Sequence, residues 1–191
     1  MTTSLRWTSA DLDVLPDDGK RREIIDGELY VSRQPNWYHQ VVCVNGCHLL
    51  QSWSDETGLG QATIAPGLIF ADDDDVAPDV VWISNLRFAE GLDAVGHLRV
   101  PPELVVEVLS PGAGNERRDR GAKLKLYSRR GVDEYWIVDW QTRSVSVFRR
   151  AGEPLQHVVT LAGNDVLTTP LLPGFTAAVA QFFVGLPAPA D

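Results

Sequence analysis

PPELVVEVLSPGAGNERRDRGAKLKLY, residues 101–127, is the stretch on which the reading of this chain turns. Its first half is an apolar run, Leu104-Val105-Val106 and Val108-Leu109, with a single carboxylate, Glu107, set inside it. A run with no solvated face reads as a strand covered on both sides, and so as a central one. A carboxylate there costs on the order of several kcal/mol unless it is paired or holds a metal. The second half, from Glu116 onward, reads as a helix that ends at Gly131. It is strongly basic: Arg117, Arg118, Arg120, Lys123, Lys125, Arg129 and Arg130 are opposed only by Glu116 and Asp119.

Working outward, TSADLDVLP reads as a short helix capped by Thr8 or Ser9 and ended by Pro16, so residues 1–16 hold an N-terminal helix. REIIDGELYVS reads as a hairpin turning at Asp26-Gly27, a pair suited to tight turns. Asn36 to Gly58 suits an amphipathic helix, weakened by Gly46. QATIAPGLIF supplies one or two strands, ADDDD an exposed loop, and APDVVWIS a strand with Asp79 at its entrance. NLRFAEGLDAVGHLR reads as a short helical turn and a loop. DEYWIVDW, SVSVFRR and HVVTL read as three further strands, LLPGFTAAVAQFFV as a turn and a final helix, and residues 185–191 as a loose tail. Neither a repeat nor a dividing linker is evident. The expectation is one α/β (α+β) domain over residues 1–191, with a mixed central sheet flanked by helices.

The chain has 191 residues, of which 44% are hydrophobic and 23% charged, an ordinary balance for a globular domain. No apolar run is long enough to span a membrane, and the N-terminus lacks the pattern of a signal peptide. With two cysteines and no disulfide framework, a reduced, cytoplasmic protein is expected. Seventeen Lys and Arg against 26 Asp and Glu leave a net charge of −9. That sum argues against a general nucleic-acid binder, but the basic stretch after Glu107 makes the charge polarised.

Asp79 enters the strand PDVVWIS and could lie beside Glu107. Two neighbouring carboxylates repel, and they coexist most easily around a hard cation with oxygen ligands. The plainer alternative is an Asp at a turn and a Glu paired with a buried Arg or Lys. A lysine two residues after Glu107 would share its face, but that position holds Leu109. Asp119, Lys123 and Tyr127 are spaced four apart and share one helix face, from which Lys123 could point back toward Glu107. An ordinary surface pair of Asp119 with Lys123, worth about a few tenths of a kcal/mol, explains the same spacing.

These pieces resemble the Uma-type restriction endonuclease family, a bacterial branch of the PD-(D/E)xK nuclease superfamily. The resemblance runs from about Trp7 to Phe183 and rests on seven pieces in order. They are REIIDGELYVS, His39 at the start of a helix, VAPDVVWIS, PPELVVEVLSPG, Asp119 with Lys123 and Tyr127, GVDEYWIVD, and LLPGF before an apolar segment. It implies a restriction endonuclease-like core with a metal site at one edge, and metal-dependent hydrolysis of DNA phosphodiesters. Asp79 and Glu107 would hold Mg2+ or Mn2+, with the Val108 carbonyl as a further ligand. Lys123 would replace the lysine absent at position 109, and Glu23 matches an early family glutamate that supports the metal or its water. His39, Asp119 and Tyr127 would support the site, while Arg117, Arg118 and Arg120 would meet backbone phosphates or else form a solvated helix start. Because two strands are most simply cut by two sites, a homodimer is a further expectation, though no residue carries it.

Other features have plainer explanations. The acidic run at 72–75 lacks the ligand spacing of a calcium loop and reads as a solvated turn. His39, Cys43 and Cys47 have four-residue spacing that could hold zinc, but buried cysteines on a core face are commoner. Ser110 lacks a nucleophile elbow, and Tyr135-Trp136 reads as core. Two function classes remain: a metal-dependent nuclease, and a non-catalytic nucleic-acid- or protein-binding member of the same fold.

Overall fold

The structure, a computed structural model, describes residues 6–152 and 154–188. The apolar run becomes strand β7 (Leu104–Val108), the eighth strand β8 is Glu134–Asp139, and β6 is Val80–Ser84. With β3 (Gly60–Ile64), β9 (Ser144–Arg150) and β10 (Leu155–Ala162) they form a six-stranded sheet in the order β10-β9-β8-β7-β6-β3. Only β7 and β8 run parallel; the other neighbours are antiparallel. Both β7 neighbours are themselves flanked, so the strand is central, and all five of its residues are buried.

Alternation along β7 divides the core in two. Val106 and Val108 face a layer made by helix α2 (Trp37–Thr57) and the C-terminal segment, with Leu50, Trp53, Phe175 and Phe182. Val105 and Leu109 face the other way, onto Leu126, Tyr127, Ile25 and Leu68. Glu107 is in step with this second set. Tyr135 and Trp136 are fully buried, one in each layer.

The second layer carries a smaller sheet, β2-β1-β5-β4, made of β1 (Arg21–Ile25), β2 (Glu28–Ser32), β4 (Leu68–Ala71) and β5 (Asp74–Val76). Its hairpin turns at Asp26-Gly27, both with positive φ (56° and 74°), the geometry that lets a two-residue turn follow the strand twist. Helix α2 starts where the Asn36 side chain accepts from the His39 N–H, and stops at Gly58 in the left-handed region. Gly46 has a packing reason inside this helix, because a Cβ there would sit 3.2 Å from the Phe182 ring. Near the start of the chain, helix α1 (Ser9–Asp13) opens on a capping box, with Asp11 accepting from the Thr8 N–H.

Three expectations are corrected. ADDDD is not wholly an exposed loop: Asp74 opens β5, buried, and binds Arg129, Arg130 and the Asp26 N–H. The acidic run hid this, because the arginines that neutralise Asp74 lie more than fifty residues away. The closing segment is not an α-helix: strand β12 (Thr176–Ala178) pairs with β11 (Val166–Thr168) and leads into a single 3-10 stretch, Val179–Phe183. Beyond α3 (Asn85–Gly91), the basic helix is broken into α4 (Ala113–Arg117), a π-helical segment (Arg118–Lys123) and α5 (Leu124–Arg130). A π turn admits an extra residue per turn and so re-aims side chains relative to a regular helix. Of the 185–191 tail, residues 189–191 lie outside the described part.

Candidate active site

The register Val80↔Val106 between β6 and β7, continued by one step, sets Asp79 opposite Glu107. Asp79 is anchored there. Its Oδ2 accepts from the Val108 N–H at 2.9 Å and lies 3.2 Å from His39 Nε2, while Oδ1 accepts from Arg21 Nη1 at 2.9 Å. What reaches Asp79 from Val108 is thus its N–H.

Glu107 faces the π segment. Its Oε1 accepts from Lys123 Nζ at 2.8 Å and from the Tyr127 hydroxyl at 2.8 Å. Lys123 also lies 3.0 Å from Glu23 Oε1, which accepts from the Ala77 N–H as well. The π turn buries Asp119 and Lys123 together, so the surface pair weighed from the spacing does not form: Lys123 is 1% exposed, its charge spent on two glutamates. Asp119 Oδ1 instead accepts from Arg118 Nε at 2.9 Å, and its Oδ2 is buried without a hydrogen-bond partner. The Tyr135 hydroxyl donates to the Asp119 carbonyl, tying the π segment to β8.

Of the basic residues expected to meet phosphates, Arg117 and Arg120 are exposed, Arg120 bonding Glu116 within its own helix turn. Arg118 turns inward, its side chain only 12% exposed, toward Asp119 and to 3.8 Å from Glu23. Arg21 was missed at the sequence level. A signal was present, since Arg21 and Glu23 sit two apart in a strand and so share one face. Beside the cluster opens a cleft of about 460 Å³, lined by Arg21, Arg33, Asn36, His39, Asp79 and Arg118 among others.

Four carboxylates (Glu23, Asp79, Glu107, Asp119) therefore share one buried region with three fixed cations, Arg21, Arg118 and Lys123. Burial pushes Glu107 up, and the charges of Asp79, Asp119 and Glu23 add to it against Lys123, so its pKa reaches about 8. Burial also opposes ionisation of Asp79, but His39, Arg21 and Lys123 outweigh it and hold Asp79 well below the carboxylate range. Glu23 is likewise held down, by Lys123, Arg21 and Arg118 against burial, and is the ionised partner of the lysine. Burial disfavours charge on Lys123 and His39, yet the surrounding carboxylates raise both.

The fit of a divalent cation can be judged from these groups. Both hydrogen bonds to Glu107 fall on Oε1, Asp119 Oδ2 is an orphaned buried acceptor, and the site carries more carboxylates than fixed cations. Such an oxygen-rich set suits a hard ion such as Mg2+ or Mn2+. Zinc fits less well. His39, Cys43 and Asp79 do cluster, with ligand atoms within 4.8 Å, but the imidazole is spent bridging Asp79 through Nε2 and Cys43 through Nδ1 at 3.4 Å. Burial and the charges of Asp79 and Glu107 drive the Cys43 thiol up, away from the thiolate that zinc requires. Cys47 stands outside that cluster, half-buried against the core.

Among the described residues no helix is long and apolar enough to cross a membrane. The sequence matches no curated protein. One similar solved structure is described as "a putative nuclease belonging to DUF820" from Anabaena variabilis ATCC 29413. It shares 16% identity and a TM-score of 0.73, covering 92% of this chain and 97% of that one, a likeness of fold. The type IIG restriction endonuclease BpuSI aligns at 14% identity over 81% of this chain and 17% of its own, with a TM-score of only 0.39. The model of the Uma2 family, described as "Putative restriction endonuclease", matches residues 9–180. On that match the chain belongs to the Uma2 family, and its fold is the restriction endonuclease-like one.

Proposed function

We propose that this protein is a metal-dependent endonuclease that hydrolyses DNA phosphodiester bonds. The observation that carries the reading is the convergence of Asp79, Glu107, Glu23 and Lys123, from four separate elements, beside a cleft bordered by arginines. Asp79 and Glu107 would hold Mg2+ or Mn2+, with Glu23 in support. When bound, such an ion lowers the pKa of a coordinated water and offsets charge on a phosphate. The chain's own residues do the positioning. His39 and the Val108 N–H fix the Asp79 carboxylate, and Tyr127 fixes that of Glu107. Lys123 keeps its proton between Glu23 and Glu107, and the exposed Arg33 offers the cleft a cation for an anionic backbone.

A second reading, a non-catalytic nucleic-acid- or protein-binding member of the same fold, has one observation in its favour. Lys123 is buried and paired twice, and the cleft is lined by Asp79 but by neither Glu107 nor Lys123. Cleavage decides between them. Supercoiled plasmid and single-stranded DNA are incubated with Mg2+ or Mn2+ and wild type, Glu107→Ala or Lys123→Ala protein. The nuclease reading expects metal-dependent cutting by wild type and its loss in both variants. Equal cutting by all three, or none by wild type, removes it.

A further inference from the structure

Arg21 occupies the position where a cation would be expected. It opens β1 and brings its guanidinium between Asp79 and Glu23, with Nη1 donating to Asp79 Oδ1 at 2.9 Å and Nη2 3.7 Å from Glu23 Oε1. The fit is poor for an arginine. A guanidinium presents five N–H donors in a rigid fork and is best satisfied by a bidentate carboxylate. Here Nε and Nη2 are buried with no hydrogen-bond partner. An unsatisfied buried donor is destabilising, so charge rather than hydrogen-bond geometry holds the side chain in place. The other Asp79 oxygen is committed to the Val108 N–H and to His39, which leaves Oδ1 as the oxygen that Arg21 takes. Arg21 also lines the 460 Å³ cleft, so the side chain has room to leave without disturbing the core.

We propose that Arg21 is the internal counter-ion of the metal-free site, displaced from Asp79 Oδ1 toward the cleft when a divalent cation binds. The inference rests on the metal-site reading of the preceding subsection. Metal binding is then an exchange of one cation for another. The apparent affinity is lowered by the work of expelling the guanidinium, and the metal-free fold is protected from its own carboxylates.

The test is calorimetric titration of Mn2+ into chelator-stripped wild type, Arg21→Gln and Arg118→Gln, with thermal melts in EDTA and in saturating Mn2+. Arg118 is the control because it removes the same charge from the Glu23 and Asp119 side of the cluster. The expected result is that Arg21→Gln melts below wild type in EDTA, binds Mn2+ about tenfold more tightly, and recovers most of the melting gap when saturated. Arg118→Gln changes the affinity much less. Arg21→Lys, which keeps the charge, is expected to melt near wild type and to bind with intermediate affinity, showing that charge rather than misfolding is at work. Equal affinity in wild type and Arg21→Gln overturns the inference alone, as does equal tightening in Arg21→Gln and Arg118→Gln. Absence of Mn2+ binding in both wild type and Arg21→Gln overturns the metal-site reading, and the inference with it.

Discussion

Replacing Lys123 with methionine tests the electrostatic account of the site most directly. The substitution keeps an unbranched side chain of similar bulk and removes the charge between Glu23, 3.0 Å away, and Glu107, 2.8 Å away. Breaking a buried ion pair from one side costs about 3–5 kcal/mol, because the remaining charge stays buried. Two features place the effect at the lower end. Glu23 keeps Arg21 and Arg118 at 3.7 and 3.8 Å, and Glu107, already pushed up to about 8, avoids much of the cost by holding a proton. The expected loss is therefore about 3 kcal/mol, or a fall in Tm of roughly 6–12 °C for a chain of this size. The assay is urea and thermal unfolding in EDTA at pH 7 of Lys123→Met, Glu23→Gln, Glu107→Gln and the two double variants. Glu23 is the ionised partner, so Lys123→Met with Glu23→Gln is expected to lose less than the sum of the singles by about 1–3 kcal/mol. The coupling to Glu107 should be smaller. A loss below about 1 kcal/mol in Lys123→Met would refute the buried pairing, and a larger coupling to Glu107 than to Glu23 would refute the assignment of charge.

Two further predictions concern pH and the second acidic cluster. Glu107 has a folded pKa of about 8 against an ordinary 4.5, so the folded state holds the proton that the unfolded state has lost. Its contribution to stability is fully present below about pH 4.5 and drains away as pH rises from there through about 8, so the metal-free protein should weaken between about pH 5 and 8. Urea midpoints across that range check this, and a slope that persists unchanged in Glu107→Gln assigns the effect elsewhere. Asp74→Ala should cost about 1.5–3 kcal/mol, because it strips the charged partner from Arg129 and Arg130 and an acceptor from the Asp26 N–H. Exposed Asp72→Ala should stay within about 0.5 kcal/mol, and equal losses in the two would mean that the Asp74 network contributes nothing.

Residues 101–127 announced a strand, its carboxylate and a basic helix through local pattern. The apolar run interrupted by Glu107 reads as a central strand and is one, and the helix following it ends at Gly131 as its sequence suggests. The Asp26-Gly27 turn and the Asn36 cap are equally local, each set by a few residues and their backbone angles. Less legible was where charges go. Arg129 and Arg130 read as part of a basic patch, yet they serve Asp74 and Asp26. Arg118 read as a phosphate contact, yet it turns toward Asp119 and Glu23. The last apolar stretch carried no sign that Thr176–Ala178 would pair with Val166–Thr168, because strand pairing depends on a partner that periodicity does not name.

Taken by itself, the sequence determined the order of most elements, the centrality of β7 and the presence of a carboxylate that needs a partner. Periodicity, turn chemistry and desolvation cost act over short distances along the chain, and all three can be read residue by residue. Only the tertiary structure decided which partners arrive. His39 is forty residues before Asp79, Lys123 is a hundred after Glu23, and Arg21 comes from an inner strand of a different sheet. A buried charge is stabilised by whatever the packed layers bring within about 4 Å of it, and that proximity is a property of the fold rather than of any segment.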